Sequence, residues 1–424
     1  IVYPLVKELS RLYGMRFSIW QTKDTASFEG NVDPDEIYDN IYAPPKTDFD
    51  SNTMMDNAMS LLPLARLRHP YPSLNWEAFQ LVRDYARIYL RGHRKGLAHL
   101  LNTELSRKQA ARLFKGFDLV HLHFLKPEHA ALLACAPRRS KVMISVWGSD
   151  LFRVSGPLQY ALQHAALQRA DAITIHSPEM EQVLLAKFGQ DLKPKIHHAL
   201  FPLDQSIVAS IDCKSPEQAK KELQKKIGLP SKRQLLCIGH NGHPENQHSK
   251  VIAQLKTLSE RTLKKYFIVV PMTYGATSSY KSRVTNELKE LNTRALVLSE
   301  YLSVEDLACF RLASDILIHV PISDAFSGAM METLYAGNTI IRGAWLPYRR
   351  LETAGIPNFT IDSLPEIPQL LQDASKAQYN KTQKEREATR ARVLSLVGPA
   401  ASAKCWRDAY TSCGINDQGQ ETKF

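Results

Sequence analysis

The stretch Asp315-Ile316-Leu317-Ile318-His319-Val320-Pro321-Ile322-Ser323-Asp324-Ala325-Phe326-Ser327-Gly328-Ala329-Met330-Met331-Glu332-Thr333-Leu334-Tyr335-Ala336-Gly337 reads as a buried strand, a turn of small residues and a helix. The apolar run stops at Pro321, and the helical pattern starts again at Gly328. Backbone amides at Phe326, Ser327, Gly328 and Ala329, backed by the positive end of the helix dipole, form a cradle for a phosphate. Asp324 and Glu332 flank it, and carboxylates accept paired hydrogen bonds from vicinal sugar hydroxyls. The spacing alone does not separate this reading from a plainer one, in which Asp324 caps the helix and Glu332 is solvated.

Outward from this stretch, short apolar runs alternate with helical ones, which is the pattern of a parallel sheet with crossover helices. Strands are expected at 234–238, 266–271, 295–298, 316–320 and 339–341, with helices at 303–312 and 328–336. Gly239, His240, Asn241, Gly242, His243, Pro244, Glu245 and Asn246 form a loop after the first of these strands. An earlier series has strands at 118–123, 142–146 and 172–175 and helices at 127–135 and 158–168. A Lys-rich helix and linker, 214–232, separates the two series. The fold class expected is α/β, with two Rossmann-like, doubly wound domains facing across a cleft. The first covers 1–205, joined by a terminal helix at about 401–424, and the second covers 206–400. Ligands in such sheets bind at the carboxyl ends of the strands. Residues 1–100 are less regular.

Composition narrows the function. Among 424 residues, 44% are hydrophobic and 23% charged, as in ordinary globular chains. No uncharged apolar run approaches the roughly 18–20 residues of a membrane-spanning helix. The six cysteines contain no C-x-x-C pair, so reduced thiols are expected rather than a zinc site or a disulfide framework. The sequence opens at Ile1, with no Met; no signal peptide is expected, a first strand with its glycine loop is expected upstream of Ile1, and the expected location is cytoplasmic. The net charge of +11 is compatible with nucleic acid, anionic lipid or phosphate-bearing substrates. Much of it lies in residues 83–115, where Arg83, Arg87, Arg91, Arg94, Lys95, Arg107, Lys108, Arg112 and Lys115 face only Asp84 and Glu104. Such a segment is either a solvated helix face or a dock for an anionic membrane, which would make the protein peripheral on the inner membrane face. No nucleic-acid motif accompanies the charge, and no nucleic-acid partner is expected.

Asp-x7-Glu followed by Thr333-Leu334-Tyr335-Ala336-Gly337 resembles the E-x7-E segment of retaining, nucleotide-sugar-dependent glycosyltransferases of the GT-B architecture. The run Arg169-Ala170-Asp171-Ala172-Ile173-Thr174-Ile175-His176-Ser177-Pro178 is similar to a second segment of that group. Val146-Trp147-Gly148-Ser149-Asp150-Leu151, Ile238-Gly239-His240-Asn241-Gly242 and Val269-Val270-Pro271-Met272-Thr273-Tyr274-Gly275 resemble the TDP-sugar-using acetamido-dideoxygalactose transferases of lipid-linked antigen assembly. The likeness runs from about Asp118 to Gly343.

The resemblance implies roles. Glu332 would hold the nucleotide ribose, and Asp324, one methylene shorter than the family's first Glu, would contact the donor sugar. Gly239, Asn241, Gly242 and Asn246 would lie near the diphosphate, where relatives carry an Arg and a Lys. Here His240, His243 and His248 stand instead, and Lys250 is the nearest obligate cation, with Lys281, Arg283 and Arg342 as further candidates. Trp147 replaces a histidine of relatives. Asp150 would orient the acceptor hydroxyl or take its proton, unless it caps the next helix. His121 and His123 share one strand face, but nothing nearby completes a metal-ligand set. Asp33-Pro34-Asp35 and Asp48-Phe49-Asp50 lack the preceding strand of a metal-binding D-x-D, so no metal is expected.

The function expected is transfer of a sugar, with retention, from a nucleotide-diphospho-sugar to a glycan acceptor on a polyprenyl carrier during bacterial surface polysaccharide synthesis. No cofactor is expected beyond the donor itself. A nucleotide-sugar epimerase on the same fold and a non-catalytic glycan- or nucleotide-binding protein are the alternatives.

Overall fold

A computed structural model describes residue 5, residues 18–20 and 40–42, and then 114, 117–126, 130, 133, 136–154, 157–230, 232–374 and 382–415. Outside the described residues lie both Asp-x-Asp triplets, almost all of the basic segment 83–115 and most of the expected helix 127–135. The chain divides into two compact units, one made of Val6–Ala199 with Cys405–Phe424, the other of Ile1–Leu5 with Leu200–Lys404.

The first unit contains a parallel pair, β1 (Ser18–Trp20) and β2 (Asn40–Tyr42), in the region whose sequence showed no regular pattern. Its main sheet is parallel, in the order β3 (Leu119–His123), β4 (Lys141–Ser145), β5 (Ala172–Ile175) and β6 (Ile196–His198). All of β5 and the last four residues of β4 are buried, as expected of strands covered on both faces. The helix after β5, Pro178–Phe188, is set by its ends: Ser177 accepts the Met180 amide, Pro178 opens the first turn, and Gly189 leaves with φ 113°. The helix Pro399–Ser412 brings Trp406 and Tyr410 against His121, with ring centroids 5.8 and 5.5 Å away.

The second unit has six parallel strands: β7 (Gln234–Ile238), β8 (Tyr266–Pro271), β9 (Ala295–Leu298), β10 (Ser314–His319), β11 (Thr339–Gly343) and β12 (Phe359–Ile361). Their spatial order is β12-β11-β10-β7-β8-β9. Counted from β7, this is 3-2-1-4-5-6 read from the other edge, the order of dinucleotide-binding folds.

Strand alternation builds a core on each face. Leu235, Cys237, Phe267, Val269, Leu317 and Ile340 point to one, packed by the helices Gln205–Asp212, Val304–Ala313 and Gly328–Tyr335. Leu236, Ile238, Ile268, Val270, Ile316, Ile318 and Ile341 point to the other, covered by the helices His248–Leu255 and Ser278–Lys289. Side chains on neighbouring strand residues face opposite ways, so a continuous apolar run fills both cores at once. No helix among the described residues is long and apolar enough to cross a membrane.

Candidate functional site

β7 and β10 are neighbours, with Ile238 opposite Ile318, yet their next strands lie on opposite sides. The chain leaves β7 toward β8 and leaves β10 toward β11, which opens a crevice between the two exit loops, the place where open α/β sheets bind ligands. The loop with Gly239 and Asn246 and the stretch from Asp324 to Glu332 meet here. The chain just after β10 is tied to the end of the β7 exit loop by two bonds: the Ile322 amide donates to the Glu245 carbonyl at 2.9 Å, and Gln247 Nε2 donates to the Val320 carbonyl at 2.8 Å.

The glycines of the first loop are needed for close packing. Gly239 has φ +68°, and a Cβ there would stand 2.8 Å from His248 Nε2; at Gly242 it would stand 2.6 Å from the Ala276 Cβ. Their amides are already engaged, Gly239 with the Ile318 carbonyl at 3.0 Å and Gly242 with the Tyr274 carbonyl at 2.8 Å. These two residues therefore shape the loop instead of offering amides to a diphosphate. Asn241 and Asn246 brace it from within: Asn246 Nδ2 donates to Asn241 Oδ1 at 2.8 Å, and Asn241 Oδ1 also accepts the His243 amide at 2.9 Å.

Across the crevice, Ser327 caps the helix Gly328–Tyr335 and accepts the Met330 amide on its hydroxyl. The Ser327 amide donates to the Tyr348 hydroxyl at 3.2 Å. The amides of Phe326, Gly328 and Ala329 have no acceptor among the described residues, and a Cβ at Gly328 would meet nothing within 4 Å. Of the expected cradle, three amides are thus available.

Asp324 does not cap that helix. Its Oδ1 accepts the Ala325 amide at 2.8 Å, and its Oδ2 lies 2.9 Å from His319 Nε2 and 2.8 Å from the Tyr348 hydroxyl. Burial would raise its pKa, but the bonds from His319 and Tyr348 and the nearby imidazoles outweigh burial and hold the carboxyl well below the usual range. Glu332 is not solvated either. It pairs with Arg311, whose Nε is 3.0 Å from Glu332 Oε2, and the side chains are 8% and 14% exposed.

Lys250 is exposed and donates to Gln247 Oε1 at 3.1 Å. Arg342 is buried and bound to Asn358 at 2.8 Å and Glu352 at 2.6 Å, so it braces the β11 end. Beyond the expected residues, the site gains His319, Tyr348, Arg311 and a stacked pair, Tyr274 and Tyr301, with centroids 6.3 Å apart and planes within 8°. These two rings are 47% and 67% exposed. Of these, Tyr274, inside the 269–275 motif, and His319, a polar residue at the end of an apolar run, left a signal in the sequence.

In the first unit Asp150 is 2% exposed and accepts three amides, from Leu125 at 2.7 Å, Trp147 at 2.9 Å and Gly148 at 2.8 Å. Burial raises its pKa and these amides counter the rise. It sits inside the helix Ser149–Phe152, after the Gly148 cap, and locks the β3 and β4 exit loops together. His121 bridges Tyr410 and Ser145, each at 2.7 Å, and Ser145 continues to Thr174 at 2.6 Å. Burial holds His121 well below its usual pKa and His123 at about 3. No group of three potential metal ligands occurs among the described residues.

Sheet order and crevice define an α/β fold with parallel sheets in two bodies, which matches the GT-B glycosyltransferase structures. A family model described as glycosyl transferase 4-like matches residues 88–177. No protein of curated function matches the sequence. Among solved structures, the N-terminal domain of Candida albicans trehalose-6-phosphate phosphatase is similar at TM-score 0.62 and 12% identity, covering 97% of this chain and 92% of that one. A glycosyltransferase from Rickettsia africae gives TM-score 0.60 and 13% identity, covering 97% and 93%. Anabaena HepE, in complex with UDP and glucose, gives TM-score 0.59 and 14% identity, covering 72% and 82%.

Proposed function

We propose that the chain is a glycosyltransferase whose second unit binds a nucleotide-diphospho-sugar at the β7/β10 switch point. The observation that carries this is the meeting there of three unengaged amides at a helix start with two carboxylates, Asp324 and Glu332. An amide cradle binds phosphate oxygens, and carboxylates bind the hydroxyls of ribose and sugar. The exposed Tyr274–Tyr301 stack, on the exits of β8 and β9, supplies a flat apolar face for the base. HepE, of similar fold, was solved with UDP and glucose, which supports a nucleotide-sugar donor.

In this reading Glu332 Oε1 receives the ribose hydroxyls while Arg311 fixes the other oxygen. Asp324 faces the sugar through what remains of its 23% exposed side chain, held rigid by His319 and Tyr348. Rigid, pre-aimed dipoles favour the charge that develops as the diphosphate departs. The sugar passes to a glycan acceptor on a lipid carrier, with retention, without a metal and in the making of surface polysaccharide. The support for these finer points is the sequence resemblance. For the acceptor, the first unit offers Trp147 and His123 at the ends of β4 and β3, with Asp150 keeping their loops in place.

The test is transfer itself. Purified full chain is incubated with UDP-, TDP- and GDP-sugars and a polyprenyl-diphosphate-linked acceptor. Sugar-dependent growth of the acceptor, with the anomeric configuration read by NMR, is expected; recovery of an isomerised donor and an unchanged acceptor would contradict it.

A further inference from the structure

A nucleotide-diphospho-sugar brings two negative charges to the switch point, yet standing cations there are few. Lys250 is turned to Gln247 on the surface, Arg342 is tied to Glu352 and Asn358, and Arg311 is engaged with Glu332. What the crevice holds instead is imidazole. His240 directly follows Gly239, and its ring lies 5.5 Å from that of His319 at the end of β10. Nδ1 of each ring is buried and has no hydrogen-bond partner among the described residues. His319 uses its other nitrogen toward Asp324 at 2.9 Å and Tyr348 at 3.1 Å, which leaves His240 as the less encumbered of the two.

Four groups act on His240 from separate parts of the second unit. His319 and Asp324 belong to β10 and its exit loop, Arg311 to the helix Val304–Ala313 and His248 to the helix His248–Leu255. Burial first, then His319, hold the His240 pKa down at about 3, with Arg311 and His248 adding to the effect and Asp324 opposing it. Without ligand the ring is therefore neutral near pH 7. An anion set against a neutral imidazole raises its pKa, because the charged form gains the attraction.

We propose that His240 is the diphosphate-neutralising group of this chain, taking up one proton from solvent as a nucleotide-diphospho-sugar binds, so that the ligand creates the cation it needs. The inference rests on the donor-site reading above. No covalent step is involved: the proton adds to the imidazole on binding and returns to solvent on release. The linkage has a definite sign. Binding takes up a proton at pH values between the free and the bound pKa of His240, so affinity falls as pH rises across that window and levels off above the bound value.

Calorimetric titration of UDP-glucose and TDP-glucose into the full chain, from about pH 5.5 to 8, tests this, because their diphosphate charge is constant over that range. Running each pH in two buffers of different ionisation enthalpy counts the protons. Expected are uptake of up to about one proton near pH 6 and affinity that weakens by about three- to tenfold per pH unit above it. In His240→Gln the uptake disappears and the affinity at low pH drops to the high-pH level. In His240→Lys the strong binding extends to higher pH than in wild type, because burial acts on an ammonium whose ordinary pKa lies well above that of imidazole. Binding without buffer dependence, or uptake that persists in His240→Gln, overturns the inference and leaves the donor site standing. Failure of every nucleotide sugar to bind removes the donor site and this inference together.

Discussion

Tyr348 donates its hydroxyl proton to Asp324 across 2.8 Å from a position with no exposure to solvent. The same oxygen accepts the Ser327 amide at 3.2 Å, so one phenol sets both the carboxylate and the start of the helix behind it. Burial, followed by the Asp324 charge, pushes its pKa well above the usual value, so it stays a donor at all working pH.

Tyr348→Phe removes that hub with almost no change in volume. The Ser327 amide loses its acceptor in a buried place, and a stability loss of about 1–3 kcal/mol is expected in urea unfolding. Nucleotide-sugar affinity is expected to fall as well, because the Asp324 carboxylate keeps only His319 and Ala325. Unchanged stability and affinity would show that the phenol positions neither group.

Glu332 is paired with Arg311 and, in the proposed donor site, also holds the ribose, so the variants must separate the two roles. Glu332→Ala leaves Arg311 buried without its partner, so a loss of about 3–5 kcal/mol is expected. Glu332→Gln keeps an oxygen for Arg311 and is expected to fold well while binding nucleotide more weakly. A Gln variant that binds like wild type would free Glu332 from the ribose assignment, whatever the Ala variant does.

How much of this was legible in the sequence follows from burial. β7, β8 and β10 are covered on both faces, so apolar runs at 235–238, 266–271 and 316–318 mark them as strands. β6 and β12 are three-residue edge strands carrying His197, His198 and Thr360, and no such run exists to be seen. The loops of the site showed through Gly239, Gly242 and the Asp324–Glu332 spacing. Their inner partners did not, because Tyr348 reaches Asp324 across 24 positions and Arg311 reaches Glu332 across 21, distances that only the finished sheet brings together. Glycines announced a tight backbone correctly, but not that both of their amides would be engaged by β10 and Tyr274.

Tyr301 is 67% exposed and stacked on Tyr274, an arrangement whose cost in apolar exposure makes sense if a base covers it. Tyr301→Ala is expected to weaken nucleotide binding by about 1–2 kcal/mol, and Tyr301→Phe by much less, since stacking needs the ring and not the hydroxyl. Isothermal titration distinguishes these outcomes. Equal affinity in the Ala variant would place the base elsewhere.

Acid should destabilise this protein early. Burial depresses His123 and His240 to about 3 and His248 to about 4, below the ordinary 6.5. The unfolded chain therefore binds more protons than the folded one between those values, and the stability these groups contribute is complete above 6.5 and lost as pH falls. Asp324, depressed in the fold, adds a loss of the same sign below the ordinary carboxylate value of 3.8. Urea midpoints are expected to decline from about pH 6.5 downward; a midpoint constant down to about pH 4.5 would contradict the burial of these imidazoles.

The β7/β10 switch point of the second unit is expected to bind a nucleoside diphosphate. The direct measurement is calorimetric titration of UDP, TDP, GDP, ADP and CMP into the wild-type chain and the well-folded Glu332→Gln variant. One diphosphate binding with Kd of about 1–100 μM to wild type, and clearly more weakly to the variant, is the predicted result. Absence of binding by all five, or binding that ignores the Glu332 change, would contradict it.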